Sequence, residues 1–321
     1  MIIVRLYGGL GNQMFQYAAG RRLAQKHNTI LKLDITDLTQ AYGYHIYGLH
    51  FLNIQENLAT PFDILRCYPV EGIKRIARRL VGRRLTEMVV NRLLPDSAQS
   101  VKMRYYNYNP ASKEIPKLLF GRIIAQRFFH FAPEVLEAPD NVYLTGSWLS
   151  EKYFQDIAGI IRQEFTVKIP QTGRNKKMAE AILNTDSVSL HVRRGDYVMT
   201  PEYREIYDIC NLEYYQQCIR YIADRAKSPH FFVFSDDIQW AKNNLKIPFP
   251  TTFVDHNDDR TNYEDIRLMS HCQHNIIANS SFSWWGAWLN TNPGKIVCAP
   301  VKFVRLWNFD DKDVYPEEWN L

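Results

Sequence analysis

A dense group of polar side chains follows a short apolar run in the second half of this 321-residue chain, within His191-Val192-Arg193-Arg194-Gly195-Asp196. Because side chains alternate between the two faces of a β-strand, His191 and Arg193 should project together from the end of this strand. An arginine keeps its charge and offers a planar fork of N–H donors that matches phosphate oxygens. A structural ion pair between Arg194 and Asp196 is the simpler alternative for part of the group. As a whole, the segment predicts a binding site for a diphosphate.

Two other segments have the features of phosphate-binding helix starts. Glycines in Gly8-Gly9-Leu10-Gly11-Asn12-Gln13 would let backbone N–H groups approach an anion, and a helix predicted from about Met14 would present its positive end there. Asn279-Ser280-Ser281-Phe282-Ser283 offers N-cap side chains and hydroxyls at a second helix start. A tight turn explains the first segment equally well, and capping explains one serine of the second. The candidate binding residues are Gly11, Asn12, Gln13, Asn279, Ser280, Ser281 and Phe282.

A pair of aspartates, in Ser235-Asp236-Asp237, follows another apolar run. Such a pair could hold a metal ion together with a nucleotide. We favour hydrogen bonds to the ribose or guanine of a nucleotide, because Arg193 and the helix starts already supply positive charge for a diphosphate. On this interpretation the chain needs no metal ion, and Ser235, Asp236 and Asp237 are candidate binding residues.

Strands and helices must position these loops, and their order predicts an α/β fold. The chain starts with a strand from Ile2 to Leu6, the glycine loop, a helix to about His27 and a strand from Ile30 to Leu33. Later apolar runs each stop in a polar loop, and helices separate them. This alternation predicts doubly wound parallel sheets, in which ligands bind at the carboxyl ends of the strands. The later runs are 188–192, 231–234, 252–254 and 276–278, and the helices are predicted at 212–226, 262–270 and 282–289.

A domain boundary is predicted in the segment 166–177 (TVKIPQTGRNKK). It carries a proline, a glycine and four basic residues, with few apolar side chains to bury. This composition is typical of a linker between domains. We therefore predict two Rossmann-type lobes, residues 1–170 and residues 171–321, with the binding site in the cleft between them.

Composition narrows the class of protein. The chain has 46% hydrophobic and 23% charged residues and a formal net charge of +5, as in a globular protein that suits an anionic ligand or surface. No window of 18 apolar residues predicts a membrane span, and the N-terminus lacks the features of a signal peptide. Five cysteines without CxxC spacing are typical of reduced thiols in a cytosolic protein. We expect a cytoplasmic protein that does not bind nucleic acid, and its oligomeric state stays open.

The most basic part of the chain lies within residues 73–94. Its spacing predicts an amphipathic helix that could lie on an anionic membrane surface. The alternative is a helix that packs its apolar face and exposes its basic one to solvent. The predicted apolar face comprises Ile73, Ile76, Ala77, Leu80 and Val81, and the basic residues are Lys74, Arg75, Arg78, Arg79, Arg83 and Arg84.

Taken together, four segments resemble the bacterial α-1,2-fucosyltransferases of glycosyltransferase family 11, relatives of the animal blood-group H enzymes. They are GGLGNQMFQYA at 8–18, HVRRGDY at 191–197, FSDD at 234–237 and NSSFSWWGAWL at 279–289. The His-x-Arg-Arg-x-Asp pattern is shared with α-1,6- and protein O-fucosyltransferases. The first and last segments are much more specific to the α-1,2 group, and the likeness covers nearly the full length.

The resemblance implies a GT-B-type fold, GDP-β-L-fucose as the donor, and inversion to an α-fucoside without a required metal. It implies that Arg193 contacts the β-phosphate and stabilises departing GDP. It also implies that His191 and Asp237 contact guanine. The other donor contacts that it implies come from Ser280, Ser281, the Phe282 backbone and Asn12, with Asn12 reaching across the cleft.

An inverting transfer also needs a base that deprotonates the acceptor hydroxyl while GDP leaves from the opposite face. Asp196, Glu202 and Glu205 are the candidates, and we favour Asp196, although Asp196 could instead orient Arg194.

The acceptor implied by the resemblance is the 2-hydroxyl of a terminal β-galactoside in an O-antigen, capsule or oligosaccharide. Many relatives carry a Gly-His pair before the Cys-Asn/Ser-Leu-x-Tyr-Tyr segment, where this chain has residues 206–209, so the acceptor could differ. A fucosyltransferase of another linkage or acceptor is therefore one alternative. A non-catalytic sugar-nucleotide- or glycan-binding protein is another.

Overall fold

The protein consists of two parallel β-sheets, each accompanied by helices. The computed structural model describes residues 1–40, 45–69, 71–77, 80, 122–126, 129–305 and 310–320. The strands are β1 (Ile2–Arg5), β2 (Leu31–Asp34), β3 (Ile123–Ala125), β4 (Val142–Thr145), β5 (Asp186–Val192), β6 (Pro229–Ser235), β7 (Thr251–Val254), β8 (His274–Ile276) and β9 (Val297–Cys298). The first sheet has the order β2-β1-β4-β3, the second has the order β7-β6-β5-β8-β9, and neighbouring strands are parallel throughout. This topology confirms the predicted α/β fold with two Rossmann-type sheets.

Helices connect most of the strands, as crossovers in parallel sheets require. The α-helices are α1 (Leu10–Lys26), α2 (Thr36–Gln40), α3 (Pro61–Cys67), α4 (Ala158–Glu164), α5 (Gly173–Leu183), α6 (Gly195–Met199), α7 (Pro201–Tyr207), α8 (Leu212–Ala223), α9 (Ile238–Asn244), α10 (Asn262–His271) and α11 (Ser281–Leu289). The predicted helices at 212–226, 262–270 and 282–289 correspond to α8, α10 and α11, with differences of one to three residues at their ends.

Side chains alternate along β5 as the sequence predicts. Val188 and Leu190 are fully buried in an apolar cluster that includes Ile219 of α8. On the opposite face, the Ser189 hydroxyl accepts a 2.7 Å hydrogen bond from Asn275. The strand ends at the carboxyl edge of the second sheet, where the predicted binding loop begins.

Helix α1 begins at Leu10, four residues earlier than predicted, so residues 11–13 lie in its first turn. Gly8 reverses the chain with a φ of +74°, and the Gly9 carbonyl accepts a 3.0 Å hydrogen bond from the Asn12 N–H. Glycines usually weaken a helix because they have more backbone freedom to lose, which is why the sequence favoured a later start. Here the packing of α1 against α11 favours a helical first turn despite the glycines.

The aromatic residues of α11 join the two halves of the protein. Trp284 and Trp285 are fully buried, and their rings lie 4.5 and 4.8 Å from the ring of Phe15 in α1. The Trp285 indole N–H donates a 2.9 Å hydrogen bond to the Gly11 carbonyl. The tryptophans are therefore packed in the interior, and the helix predicted at 282–289 is confirmed.

Segment 166–177 changes its contacts from one half of the chain to the other. Val167 forms an antiparallel bridge with Leu52, whereas Arg174 forms a 2.9 Å ion pair with Asp255, which follows β7. Residues from Gly173 onward form α5 rather than an extended linker. The division into lobes 1–170 and 171–321 stays a prediction, with which this change of contacts is compatible.

Only part of the predicted basic helix at 73–94 lies within the described residues, namely 73–77 and 80. Residues 71–77 are helical. Arg75, predicted on the basic face, is buried and forms 2.5 Å and 2.9 Å ion pairs with Asp34 and Glu71, so its place on a solvated or membrane-facing surface was wrong. Ile73 and Leu80 are exposed, so these two residues do not pack as an apolar stripe against the protein. In the described part of the chain, no helix is long and apolar enough to cross a membrane.

Candidate active site

Arg193 connects the loops that follow two neighbouring strands, β5 and β6. Its guanidinium donates 2.6 Å to Asp196 Oδ1 and lies 2.9 Å from Asp236 Oδ2. Burial alone would lower the pKa of Arg193, but the Asp236 and Asp196 carboxylates raise it overall. The side chain is 28% exposed, so a permanent cation is accessible at the carboxyl edge of the sheet.

The partner of Asp196 is therefore Arg193, and both the predicted Arg194–Asp196 pair and the orienting of Arg194 by Asp196 were wrong. Arg194 points elsewhere, with its guanidinium carbon 3.8 Å from the Trp240 ring centroid. Its Nε is buried, finds no hydrogen-bond acceptor in the described part of the chain, and lies 3.6 Å from Asp237 Oδ2. Consecutive side chains diverge at a strand end, so only one of the two arginines can reach the loop ahead.

The two aspartates after β6 have different structural roles. Asp236 accepts a 2.8 Å hydrogen bond from the Arg194 backbone N–H, and burial raises its pKa despite the nearby Arg193. A Cβ on Gly195 would lie 2.4 Å from Asp236 Oδ2, which explains the glycine at that position. Asp237 caps α9 by accepting a 3.1 Å hydrogen bond from the Trp240 N–H.

The Asp237 backbone N–H in turn donates a 2.9 Å hydrogen bond to the Ser235 hydroxyl. Asp237 remains 43% exposed, and its contact with guanine stays a prediction.

His191 is buried near the end of β5, two residues before Arg193. Burial, assisted by the charge of Arg193, lowers the pKa of His191 to about 3, so the ring is neutral at pH 7. Its Nδ1 has no hydrogen-bond partner among the described residues, and the ring centroid lies 5.6 Å from that of Phe282. A neutral imidazole with a free nitrogen is suited to hydrogen bonding with a nucleotide.

The N-termini of α1 and α11 meet next to this loop. The Ser281 hydroxyl donates a 2.7 Å hydrogen bond to Asn12 Oδ1. A Cβ on Gly11 would lie 2.5 Å from the Phe282 nitrogen, so only glycine permits this backbone contact. Ser280 caps α11 by accepting from the Phe282 N–H at 3.3 Å. Two positive helix ends repel each other, and an anion bound beside them offsets that repulsion.

Two of the predicted binding residues, Gln13 and Asn279, have side chains that hydrogen-bond to other parts of the protein. Gln13 is fully buried, and its amide contacts the Gly8 and Ile46 carbonyls at 2.9 and 2.8 Å and the Gly48 N–H at 3.0 Å. Asn279 is 1% exposed and donates to the Tyr207 and Phe303 carbonyls, each at 3.0 Å. These side chains fix the loops on either side of the site, and their direct contact with a donor stays a prediction.

One histidine near the site was missed by the sequence analysis. His45 is exposed, and its ring lies 3.9 Å from where a Cβ on Gly9 would be. Partial burial and the charge of Arg193 lower its pKa, while Asp196 and Asp259 act in the opposite direction. A single histidine in an irregular segment belongs to no motif, so only the folding of that segment over the glycine loop reveals it.

The three predicted base candidates differ in their surroundings. Asp196 is bound to Arg193, whereas Glu202 and Glu205 are exposed on α7. Among the described residues, no group of three or more His, Cys, Asp or Glu side chains could hold a metal ion. The absence of a metal requirement stays a prediction.

Two parallel sheets with helices, and a cationic site at the carboxyl edge of one sheet, define the class of doubly wound α/β proteins, in which ligands bind at that edge. Comparison of the chain with protein families is more specific, because residues 112–321 match the model of glycosyl transferase family 11. The protein belongs to this family and is a glycosyltransferase.

The chain is also similar to individual members of the family. It is 32% identical to an alpha-1,2-colitosyltransferase of Escherichia coli, over 99% of this chain and 98% of that protein. It is 31% identical to the O-antigen biosynthesis glycosyltransferase WbnK of Escherichia coli, over 93% of each. A third relative, the galactoside alpha-(1,2)-fucosyltransferase 1 of Homo sapiens, is 27% identical over 46% of this chain and 42% of that protein.

Proposed function

We propose that the protein transfers L-fucose from GDP-β-L-fucose to the 2-hydroxyl of a terminal β-galactoside, with inversion, during assembly of an O-antigen or a similar glycan. The observation that carries the proposal is the meeting of the α1 and α11 N-termini, joined by Ser281 and Asn12, beside the loop of Arg193. Tyr197 connects the Arg193 loop with the start of α11. Its ring lies under the Arg193 guanidinium, and its hydroxyl donates to the Asn279 carbonyl at 3.4 Å.

In this proposal the residues act on the leaving group. Arg193 neutralises the charge that develops on the β-phosphate as the bond to the sugar breaks, and the α11 N-terminus with Ser281 holds the other phosphate oxygens. His191 and Asp237 contact guanine. Because fixed cations and helix ends supply this stabilisation, we propose that no metal ion is required.

The linkage and the acceptor rest on the relatives. The human relative is named for galactoside α-1,2 transfer and the relative WbnK for O-antigen biosynthesis, and these names support a galactose-terminated glycan as acceptor. The test is incubation of the purified protein with GDP-fucose and lactose in EDTA, followed by GDP release and NMR of the product. We expect a trisaccharide substituted at the galactose 2-hydroxyl. Turnover of another sugar nucleotide but not of GDP-fucose would contradict the proposal.

A second donor is supported by one specific observation, namely the 32% identity to an alpha-1,2-colitosyltransferase over nearly the whole chain. Colitose is L-fucose without its 3-hydroxyl, so the two donors present the same diphosphate and differ by one hydrogen-bonding group. A site that bonds this hydroxyl rejects the deoxy sugar strongly, whereas an apolar contact there does not reject fucose. Measurement of kcat/KM for GDP-fucose and GDP-colitose in parallel separates the two, and we expect fucose to be preferred.

We also propose a peripheral contact of residues 73–94 with an anionic membrane surface. In the described part, Ile73 is 55% and Leu80 is 78% exposed, and Lys74 lies beside Ile73 in sequence. Exposed apolar residues in a segment with many basic residues favour an anionic interface. The test is sedimentation with phosphatidylglycerol vesicles, with phosphatidylcholine vesicles as the control. Replacing Ile73 and Leu80 by Asp should abolish binding, and equal binding by the double variant would contradict the contact.

A further inference from the structure

The segment that carries His45 is attached to the start of α1, although residues 45–48 form no regular secondary structure. The buried Gln13 amide bonds to the Ile46 carbonyl at 2.8 Å and to the Gly48 N–H at 3.0 Å. Gly48 itself is buried. The backbone on the C-terminal side of His45 is therefore held at two points, which fixes where the imidazole can lie.

That position lies at the entrance of the proposed phosphate site. The ring lies against Gly9, with its Cε1 and Nδ1 each 3.9 Å from where a Cβ would be. Three residues further along, Asn12 bonds to Ser281 at the start of α11. The 3.9 Å distance at Gly9 is an ordinary van der Waals contact, so the imidazole lies directly beside the residue that precedes α1.

The charged groups that influence the pKa of His45 come from the other half of the chain. They are Arg193 and Asp196, on the loop after β5, and Asp259, on the loop after β7. The cation and partial burial favour the neutral imidazole, which can accept a proton, and the two carboxylates stabilise the imidazolium once it forms. An exposed imidazole beside the start of α1, with its pKa lowered by partial burial and by the charge of Arg193, has the properties of a general base.

We propose that His45 is the general base that deprotonates the acceptor hydroxyl, an inference that rests on the proposed transfer reaction. The acceptor O–H bond breaks and its proton passes to a ring nitrogen of His45, while the hydroxyl oxygen forms the new bond to C1 of the sugar. The bond from C1 to the β-phosphate oxygen breaks, and its electron pair leaves with GDP beside Arg193. The imidazolium then releases the proton to solvent, so the products are the glycoside, GDP and one proton.

This assignment differs from the sequence-based preference for Asp196. Asp196 Oδ1 accepts a 2.6 Å hydrogen bond from Arg193, and protonating Asp196 would weaken the ion pair that holds the leaving-group cation. His45 comes from the N-terminal half of the chain and is not the residue that holds Arg193 in place. The same geometry gives Asp196 the role of a positioning residue for Arg193.

The test compares His45→Gln with His50→Gln, which alters an exposed histidine on the same segment. In His45→Gln we expect transfer to fall by about 10²–10⁴-fold, with the affinity for GDP-fucose, measured by calorimetry, within about twofold of the wild type. His50→Gln should keep both. The acid limb of the kcat/KM–pH profile, where protonation removes the base, should disappear in His45→Gln. Added imidazole should partly restore transfer in His45→Ala.

Three outcomes would overturn the assignment. The first is retention of transfer within threefold in His45→Gln, and the second is an unchanged acid limb. The third is an equal loss of donor affinity and transfer without rescue by imidazole, which would indicate a structural role. Failure of the proposed function is distinguishable, because the wild-type protein would then not use GDP-fucose. The same variants would be assayed with whichever sugar nucleotide the wild type uses.

Discussion

The Ser281 hydroxyl donates a 2.7 Å hydrogen bond to Asn12 Oδ1, although 269 positions separate the two residues in the chain. The bond connects the first turns of α1 and α11, and these two helices lie beside different sheets. Next to it, the Gly11 carbonyl accepts from the Trp285 indole at 2.9 Å. The proposed donor site thus lies at the contact between the two halves, and its geometry depends on how closely the two helix starts approach.

Gly11→Ala should disrupt this contact. The added Cβ would lie 2.5 Å from the Phe282 nitrogen and from the Ser281 carbonyl carbon, and both are backbone atoms that cannot rotate away. We expect the free energy of unfolding, measured in urea, to fall by about 1–3 kcal/mol, and affinity for GDP to fall at least tenfold.

Gly159→Ala is the matched control for this change. Gly159 lies in α4, and nothing approaches within 4 Å of a Cβ built there. This variant should be neutral or more stable by about 0.5–1 kcal/mol, because alanine has less backbone freedom to lose on folding. If Gly11→Ala behaved like Gly159→Ala, the close approach of the two helices would not matter for the site.

The sequence was sufficient to predict four of the five strands of the second sheet, with β8 displaced by two residues, because alternation of apolar and polar side chains and polar loop residues are local signals. The two-residue strand β9 was not predicted. Val188 and Leu190 are buried and His191 and Arg193 stand at the strand end, as that periodicity requires. The partners of the charged residues were not predictable. Whether Asp196 meets Arg193 or its neighbour depends on backbone torsions at the strand end.

Contacts between segments that are distant in the chain also could not be predicted from the sequence. The first turn of α1 has three glycines in or beside it, and its helical state depends on packing against α11 rather than on local propensity. The burial of Arg75 was missed for the same reason, since its partner Asp34 lies in a distant strand. His45 belongs to no motif, and its position near the site depends on the hydrogen bond by which Gln13 holds its segment.

Arg193→Lys should reduce kcat strongly while leaving the fold intact. Lysine keeps the charge but lacks the planar fork that bonds Asp196 and Asp236 at the same time. We expect kcat to fall by about 10²–10³-fold, the range found when one donor to a developing anion is removed, and Arg193→Ala should lose more. Arg174→Ala removes an exposed arginine paired with Asp255 and should leave kcat unchanged. Retention of most activity in Arg193→Ala would remove this residue from its role.

The buried pair of Asp34 and Arg75 should contribute to stability rather than to chemistry. The Arg75 guanidinium bonds to Asp34 at 2.5 Å, and both side chains are at least 92% buried. Arg75→Met leaves the carboxylate buried without its cation, and we expect a loss of about 3–5 kcal/mol in the free energy of unfolding. Arg174→Met breaks an exposed pair and should cost no more than about 1 kcal/mol. Equal losses in the two variants would contradict this distinction.

Acid should weaken the same pair. Burial alone would raise the pKa of Asp34, but the charge of Arg75 and its hydrogen bond lower it overall, with help from Tyr143 and Thr36. A carboxyl whose pKa is lowered by folding contributes stability above its unfolded pKa of about 3.9, and this contribution is lost as the pH falls through its folded pKa. Urea unfolding between pH 5 and pH 3 should therefore show a steeper loss in the wild type than in Asp34→Asn. Parallel curves would show that Asp34 does not contribute.

His191 should make the protein less stable as the pH falls from about 6.5 towards 3. Burial and the Arg193 charge lower the pKa of His191 to about 3 in the folded state, whereas an unfolded histidine titrates near about 6.5. The unfolded chain therefore binds one more proton within this window, and each pH unit of acidification should remove about 1.4 kcal/mol from the free energy of unfolding. His191→Asn should remove this contribution to the slope, and His50→Asn, which alters an exposed imidazole, should retain it. The measurement is urea unfolding at pH 7, 6 and 5. The same slope in all three proteins would mean that His191 binds its proton over the same pH range in the folded and the unfolded state, and burial beside Arg193 would then not lower its pKa.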